Sequence, residues 1–241
     1  MSADFTATGL HKSYGVREVL CGIDLSVAPG EIVGLLGPSG SGKSTVFEIL
    51  TGVEKPDRGT VTLRGETLND LGVDARARRG IGYVPQSPDL FARLSVEDNL
   101  RIAADTRLAW DERAADFVGR IVGGFGLEEV RAKPVGTLSG GQRRLVEIAF
   151  AVCTLPKFLL LDEPFSGLDP IVVERIVARV RALAKAGIGV LVTDHKAHVA
   201  LELVHRAVVI EAGLVVASGP PAEVARDRRV REVFLGESYR V

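Results

Sequence analysis

The spacing of apolar residues changes along this chain. Between residues 5 and 63 they come as short runs, at 5–10, 23–27, 32–36 and 60–63. Turn-forming clusters separate the runs, including Ala28-Pro29-Gly30-Glu31 and Lys55-Pro56-Asp57-Arg58-Gly59. Runs so bounded predict strands. Ile81-Gly82-Tyr83-Val84 predicts another, ended by Pro85-Gln86. From about Leu90 to Leu155 the pattern becomes helical. Ser95 caps a segment with Val96, Leu100 and Ile102, and residues 110–125 carry Phe117, Val118, Ile121 and Val122 among Arg and Asp. Gly123-Gly124 predicts the end of that second helix. A third begins at Ser139 and is stopped by Pro156.

Strand and helix then alternate. Residues 158–161 are wholly apolar, as a central parallel strand requires. Asp169-Pro170 gives an N-cap followed by proline at the first helical position, and the helix runs through Val173, Ile176, Val177 and Val180 to Gly187. Residues 190–193 predict the next strand. Residues 207–210 and 214–217, joined by Glu211-Ala212-Gly213, predict a hairpin. There is no internal repeat and no low-complexity segment. The pattern describes an α/β core, residues 1–89 and 156–241, interrupted by a helical insert over 90–155.

Chemistry enters at the end of the run 32–36. Gly37-Pro38-Ser39-Gly40-Ser41-Gly42-Lys43-Ser44-Thr45 fits G-x-x-x-x-G-K-[ST], with an apolar strand before it and the helical residues Val46, Phe47, Ile49 and Leu50 after it. Its glycines let backbone wrap around phosphates, Lys43 offers a point charge to the β- and γ-phosphates, and the Ser44 hydroxyl can ligate Mg²⁺. A second helix start, Ser139-Gly140-Gly141-Gln142, has the spacing of a capping box. Alone it reads as a cap. Its two glycines also leave the helix mouth bare, where N–H groups and the helix dipole favour an anion.

In open α/β sheets ligands lie beyond the carboxyl ends of the strands. Besides the phosphate loop, Gln86, Asp162-Glu163 and His195 all follow predicted strands. Each alone has an ordinary reading, as a helix cap or a satisfied surface or core residue. Together they suit phosphoryl transfer to water, which needs a held metal, a positioned water and charge stabilisation. Asp162 suits the metal site beside Ser44, and Glu163 is placed to orient or deprotonate water. Gln86 suits metal or water and precedes the helical insert, and His195 suits the γ-phosphate. Tyr14 is a candidate base-stacking residue, worth about 1–3 kcal/mol by analogy with nucleic-acid stacking.

Composition narrows the classes. The 241 residues carry a net charge of −1, so there is no basic footprint for nucleic acid. Arg76, Arg78 and Arg79 read as a solvated basic face. No apolar stretch reaches the roughly 18–20 residues that span a bilayer. The first eleven residues lack the charged and apolar regions of a secretory signal. Cys21 and Cys153 are isolated, as small buried thiols in a reducing compartment would be. A soluble intracellular protein is expected.

Taken in order, these residues resemble the ATPases of ABC transporters. The aromatic loop is at Tyr14, the Walker A loop at residues 37–45, the Q-loop at Gln86 and the signature at 138–142, from Leu138 to Gln142. Walker B follows at 158–162, then Glu163, a D-loop Ser166-Gly167-Leu168-Asp169, and the switch residue His195. The resemblance spans nearly the whole chain. It implies a P-loop NTPase core with an N-terminal antiparallel β subdomain and an inserted α-helical subdomain carrying the signature. It implies ATP and Mg²⁺, with Glu163 catalytic and Ser44, Gln86 and Asp162 around the metal. It also implies two copies arranged head to tail, so that each ATP lies between the Walker motifs of one chain and Ser139, Gly140, Gly141 and Gln142 of the other. Integral membrane transporter subunits are the further partners, which places the chain on the cytoplasmic face of the inner membrane.

A narrower resemblance is to the lipopolysaccharide-export branch of the family. It rests on residues 90–100, Pro156-Lys157-Phe158, Glu163-Pro164-Phe165-Ser166-Gly167, residues 189–195 and 234–240. It implies that Phe91, Arg93 and Leu94 lie in the groove that receives the coupling helices of the membrane subunits. ATPases of branched-chain amino acid importers share much of this sequence and are the alternative. Three positions depart from the usual patterns: Gln142 where the export branch has Glu, and Leu145 and Phe150 where Arg is usual. Soluble ABC ATPases of DNA repair or translation carry paired cassettes or a long coiled-coil insert, which this chain lacks. A P-loop kinase would need an acceptor site and lid that the sequence does not offer.

Overall fold

The computed structural model describes residues 4–87, 90–108 and 112–236. Trp110 and Glu237 to Arg240, cited above, lie outside them. The strands are β1 (Phe5–Tyr14), β2 (Arg17–Val27), β3 (Ile32–Leu36), β4 (Arg58–Leu63), β5 (Glu66–Thr67), β6 (Ile81–Val84), β7 (Phe158–Asp162), β8 (Gly189–Thr193), β9 (Arg206–Glu211) and β10 (Leu214–Gly219). The helices are α1 (Lys43–Thr51), α2 (Val73–Arg78), α3 (Val96–Asp105), α4 (Glu112–Phe125), α5 (Gly140–Cys153), α6 (Pro170–Lys185), α7 (Ala197–Leu203), α8 (Pro221–Val224) and α9 (Arg228–Val230).

Two sheets result. One is antiparallel, in the order β2-β1-β4-β5. The other has the order β10-β9-β3-β8-β7-β6, parallel from β9 to β6 and closed at one edge by the antiparallel β10. Its central strands are apolar on both faces because both faces are covered. Val33 and Leu35 of β3, Leu191 of β8, and Phe158 and Leu160 of β7 pack toward β1, β2, β4 and α1. Ile32, Leu36, Leu159, Leu161, Val190 and Val192 alternate with them and pack toward the layer that includes α3 to α7. The Phe5 and Phe158 rings, 5.4 Å apart, join the two sheets. The parallel strands β3, β6, β7 and β8 therefore end on one edge. That edge collects the phosphate loop, Gln86, Asp162-Glu163 and His195.

Several predicted boundaries shift. β1 continues past residue 10 to Tyr14, because the polar residues Lys12 and Ser13 still pair across to β2. α4 passes through Gly123-Gly124 and ends at Phe125. The turn that stops it is made by Gly126, in the left-handed region at φ 65°, while Val122 and Phe125 stay buried in the core. The 206–219 hairpin turns at Ala212-Gly213, both at positive φ, as a two-residue loop between twisted strands requires.

One member of the basic cluster is not on a solvated face. Arg76 is 1% exposed and donates to the carbonyls of Ile49, Leu50, Leu68 and Leu71. It thereby closes the C-terminal end of α1, where carbonyls lack intrahelical partners. Arg78 pairs with Asp74 and Arg79 with Glu66 at the surface. Cys153 is buried, and burial pushes its thiol up to about 12. Cys21 is only half-buried, contrary to expectation. No helix among the described residues is long and apolar enough to cross a membrane.

Candidate active site

The loop after β3 forms a cradle through its backbone. Gly37 sits at φ 145°, and a Cβ there would collide with the Ile210 carbonyl oxygen. Gly42 caps α1 without a side chain, and no acidic residue lies in the first turn of that helix. The N-terminal N–H groups of α1 thus face a helix mouth that favours negative charge. Lys43 is 7% exposed, and its Nζ donates to the carbonyls of Gly37 (2.9 Å) and Pro38 (2.8 Å). Burial lowers its proton affinity, while the charges of Glu163 and Asp162 draw it back up. Ser44 is exposed beside it. A cleft of about 300 Å³ opens over this loop, lined by Tyr14, Arg17, Val19, Ser39, Gly40, Gly42, Lys43, Ser44, Thr45, Glu163 and His195. Tyr14 closes one side, 46% exposed, with the Lys12 Nζ 5.4 Å from its ring centre. Lys12 is itself held by Glu54 and by the Lys55 carbonyl.

Three of the strand-end residues meet at Glu163. Its Oε2 accepts from Gln86 Nε2 at 2.9 Å, and its Oε1 lies 2.5 Å from His195 Nε2. Glu163 has φ 48°, a left-handed conformation that costs a non-glycine residue roughly 1–3 kcal/mol. A backbone bond from its N–H to the Thr193 carbonyl, 2.8 Å, helps to hold it. Asp162 stands opposite Thr193 in the β7–β8 register. Burial and the neighbouring Glu163 push its carboxyl above the usual range, against the Tyr83 hydroxyl, Arg144 and Lys43. The Tyr83 hydroxyl donates to Asp162 Oδ2 at 3.4 Å.

The oxygen donors of Ser44, Asp162 and Gln86 are of the kind a small hard cation takes. Among the described residues no group of three or more His, Cys, Asp or Glu could hold a metal. A Mg²⁺ ion here would need phosphate oxygens and water to complete its coordination.

Ser139-Gly140-Gly141-Gln142 is not part of this cleft. It starts α5 as a complete capping box: Ser139 Oγ accepts from the Gln142 N–H, and the Gln142 side chain accepts from the Ser139 N–H. The helix mouth is half as bare as the sequence suggests. A Cβ at Gly140 would meet nothing within 4 Å, but one at Gly141 would press on Val172 of α6 at 2.7 Å. Gly141 packs closely against Val172, whereas Gly140 faces open space. Leu145 is buried and Phe150 half-buried against the core, so both unusual residues fill apolar positions.

Phe91 and Leu94 are 52% and 37% exposed, and Arg93 is exposed between them. Fully buried Asn99 fixes this loop, accepting from the Phe91 N–H and donating to the carbonyls of Phe91 and Ser95.

Sequence reasoning missed Arg17, Tyr83, Arg144 and Asp194. Arg144 is 7% exposed and donates to the carbonyls of Pro85 and Glu163 and to Glu147. It ties the α5 helix to both the Gln86 and Glu163 loops. Its signal was available: an arginine on the apolar stripe of Gly141, Leu145 and Ile148. Tyr83 gave no signal, and neither did the Asp194 bond to Phe165, since both depend on contacts remote in sequence.

Residues 20–166 match the family model described as ABC transporter. The chain belongs to that family. It is an ATP-binding cassette, the ATPase component of a transporter. Residues 215–240 also match a family model described as branched-chain amino acid ATP-binding cassette transporter. The chain is 45% identical, over 98% of its length and 84% of the relative, to a "probable ABC transporter ATP-binding protein" of Azorhizobium caulinodans. It is 43% identical to the lipopolysaccharide export system ATP-binding protein LptB of Escherichia coli, over 99% of this chain and 100% of that one. Among solved structures it resembles the ADP conformation of MJ1267, an ATP-binding cassette of an ABC transporter, with a TM-score of 0.90 and 28% identity over 98% and 100% of the two chains. The dimeric structure of MJ0796, a bacterial ABC transporter cassette, matches with a TM-score of 0.80 and 28% identity over 90% and 98%. The cassette is thus an ABC ATPase fold, and dimeric relatives exist among its structural neighbours.

Proposed function

We propose that this cassette hydrolyses ATP with Glu163 as the group that orients and deprotonates water, and that it drives lipopolysaccharide export. The observation that carries the first part is the Gln86–Glu163–His195 cluster at the mouth of the phosphate-loop cleft. The loop from Gly37 to Thr45 grips the phosphates through backbone N–H groups, with Lys43 turning from its own loop carbonyls to the β- and γ-phosphates. Tyr14 stacks on the base. Ser44, Asp162 and Gln86 would hold Mg²⁺, which would offset phosphate charge. Glu163 takes the proton of the attacking water, and His195 holds the γ-phosphate side of the site. A base in this role contributes roughly 10²–10⁴-fold. Glu163→Gln is therefore expected to lower turnover by about 10²-fold or more while ATP still binds. Steady-state hydrolysis and fluorescent-ATP titration measure the two; unchanged turnover removes Glu163 from this role.

Ser139, Gly140, Gly141 and Gln142 complete the site of a second copy arranged head to tail. Their absence from the cleft of their own chain supports this reading. The export reading is supported by the full-length likeness to LptB. Its membrane partners would seat coupling helices against Phe91, Arg93 and Leu94, with the cassette peripheral on the cytoplasmic face of the inner membrane. Phe91→Ala is expected to leave the isolated subunit's ATPase rate within about twofold and to weaken recovery of the membrane complex, since truncating a hot-spot anchor costs about 2 kcal/mol or more at an interface. Normal recovery by affinity purification counts against the groove. The match of residues 215–240 favours a second reading, a branched-chain amino acid importer. Co-purification with lipopolysaccharide-export membrane subunits or with importer permeases decides between them.

A further inference from the structure

Asp194 lies between Thr193, the last residue of β8, and His195. It is 1% exposed. Its two carboxylate oxygens are divided between two loops. Oδ2 accepts from the Phe165 N–H at 2.8 Å, two residues beyond Glu163. Oδ1 accepts from the Lys196 N–H at 2.8 Å, one residue beyond His195. Phe165 is fully buried, which fixes the far end of the Glu163-Pro164-Phe165 segment. Lys196 is anchored separately, its Nζ donating to the Leu168 carbonyl at 2.8 Å. Neither loop has a regular ladder here, because β7 ends at Asp162 and β8 at Thr193.

A buried carboxylate with no cationic side chain bonded to it is costly unless N–H donors satisfy it. Here the two N–H donors belong to the loops that carry Glu163 and His195. The 2.5 Å approach of those two side chains depends on how the loops sit relative to each other.

We infer that Asp194 is a positioning residue for hydrolysis: one carboxylate fixes the loops of Glu163 and His195 in a common frame. This rests on the catalytic reading of Glu163 and His195. Asparagine has the same shape, but its amide turns an N–H₂ group toward one of the two N–H donors, so that loop is released. Displacing a catalytic group by about 1 Å costs on the order of 10²-fold in rate.

The test is Asp194→Asn in the full chain, alone and combined with His195→Ala, read by ATP hydrolysis and by fluorescent-ATP titration. The expected result is a fall in kcat on the order of 10²-fold with ATP affinity within about twofold. In the His195→Ala background the same change should cost less than about threefold, because the two residues act as a unit. Parallel loss of ATP affinity and kcat, or equal cost in both backgrounds, would overturn the inference. Amide hydrogen exchange on the wild-type chain tests it without a variant: Phe165 and Lys196 should exchange slowly, and fast exchange at both would overturn it even if Asp194→Asn does not fold. If Glu163→Gln keeps its turnover, the catalytic reading fails. If Glu163→Gln is inactive and Asp194→Asn turns over normally, only the positioning role fails.

Discussion

Arg144 and Glu147 form an ion pair in which both side chains are at most 8% exposed. Burial pushes the Glu147 carboxyl upward even though Arg144 faces it at 3.0 Å. Arg144 also spends its donors on the carbonyls of Pro85 and Glu163, so its guanidinium joins a structural pair to two loops of the site. Removing one member of a buried pair leaves the other charge unsatisfied, at about 3–5 kcal/mol. Arg144→Ala should lose stability on that scale in urea denaturation, and Arg144→Met with Glu147→Leu should recover most of it. The double variant should remain slow in hydrolysis, because the links to the Gln86 and Glu163 loops stay broken. Full recovery of hydrolysis would confine Arg144 to stability. This residue shows where the sequence stops being readable. Residues 37–45 announce themselves because phosphate binding uses consecutive residues of one loop. Arg144, Tyr83 and Asp194 each also reach a partner 19 to 79 positions away, and no local pattern encodes that.

The helix starts that bear on phosphate binding are built differently. α1 has a bare glycine cap and no competing acid. α5 is sealed by its own capping box, which uses the Gln142 N–H. What remains accessible at α5 is the Gly140 side of the mouth, since Val172 closes over Gly141. The two glycines, equivalent in sequence, therefore differ in their surroundings. Gly141→Ala should cost about 1–3 kcal/mol by overpacking against α6, read as a lowered melting temperature. Gly140→Asp meets no neighbour and puts a carboxylate in the first turn of α5, which favours the helix by about 0.3–1 kcal/mol. It should leave the melting temperature unchanged or raised and still impair hydrolysis, by repelling a phosphate brought by another copy. Undiminished hydrolysis would mean that no anion approaches this mouth. The capping box was legible from four residues. The packing of Gly141 was not, because Val172 is 31 positions away and belongs to another helix. The misplaced end of α4 has a similar origin: Gly123-Gly124 looks like a stop, but the core holds Val122 and Phe125 and the chain turns only at Gly126.

At the scale of the whole molecule the sheet order does most of the work. Parallel β3, β8, β7 and β6 bring four separate segments to one edge, and the sequence indicated this through its apolar runs and the polar residues that end them. Their convergence on Glu163 needed the fold. The same fold leaves Ser139 and Gly140 exposed and outside the cleft that holds Lys43 and Glu163. In the proposed head-to-tail arrangement a second copy completes this divided site, and hydrolysis then depends on association. The most direct test is the mass of the Glu163→Gln chain by light scattering as ATP and Mg²⁺ are titrated. The dimer population should rise with ATP, and adding Ser139→Ala should suppress the dimer while fluorescent ATP still binds. A Glu163→Gln chain whose mass does not change up to saturating ATP, or a Ser139→Ala chain that loses ATP binding in step with the dimer, would contradict the shared site.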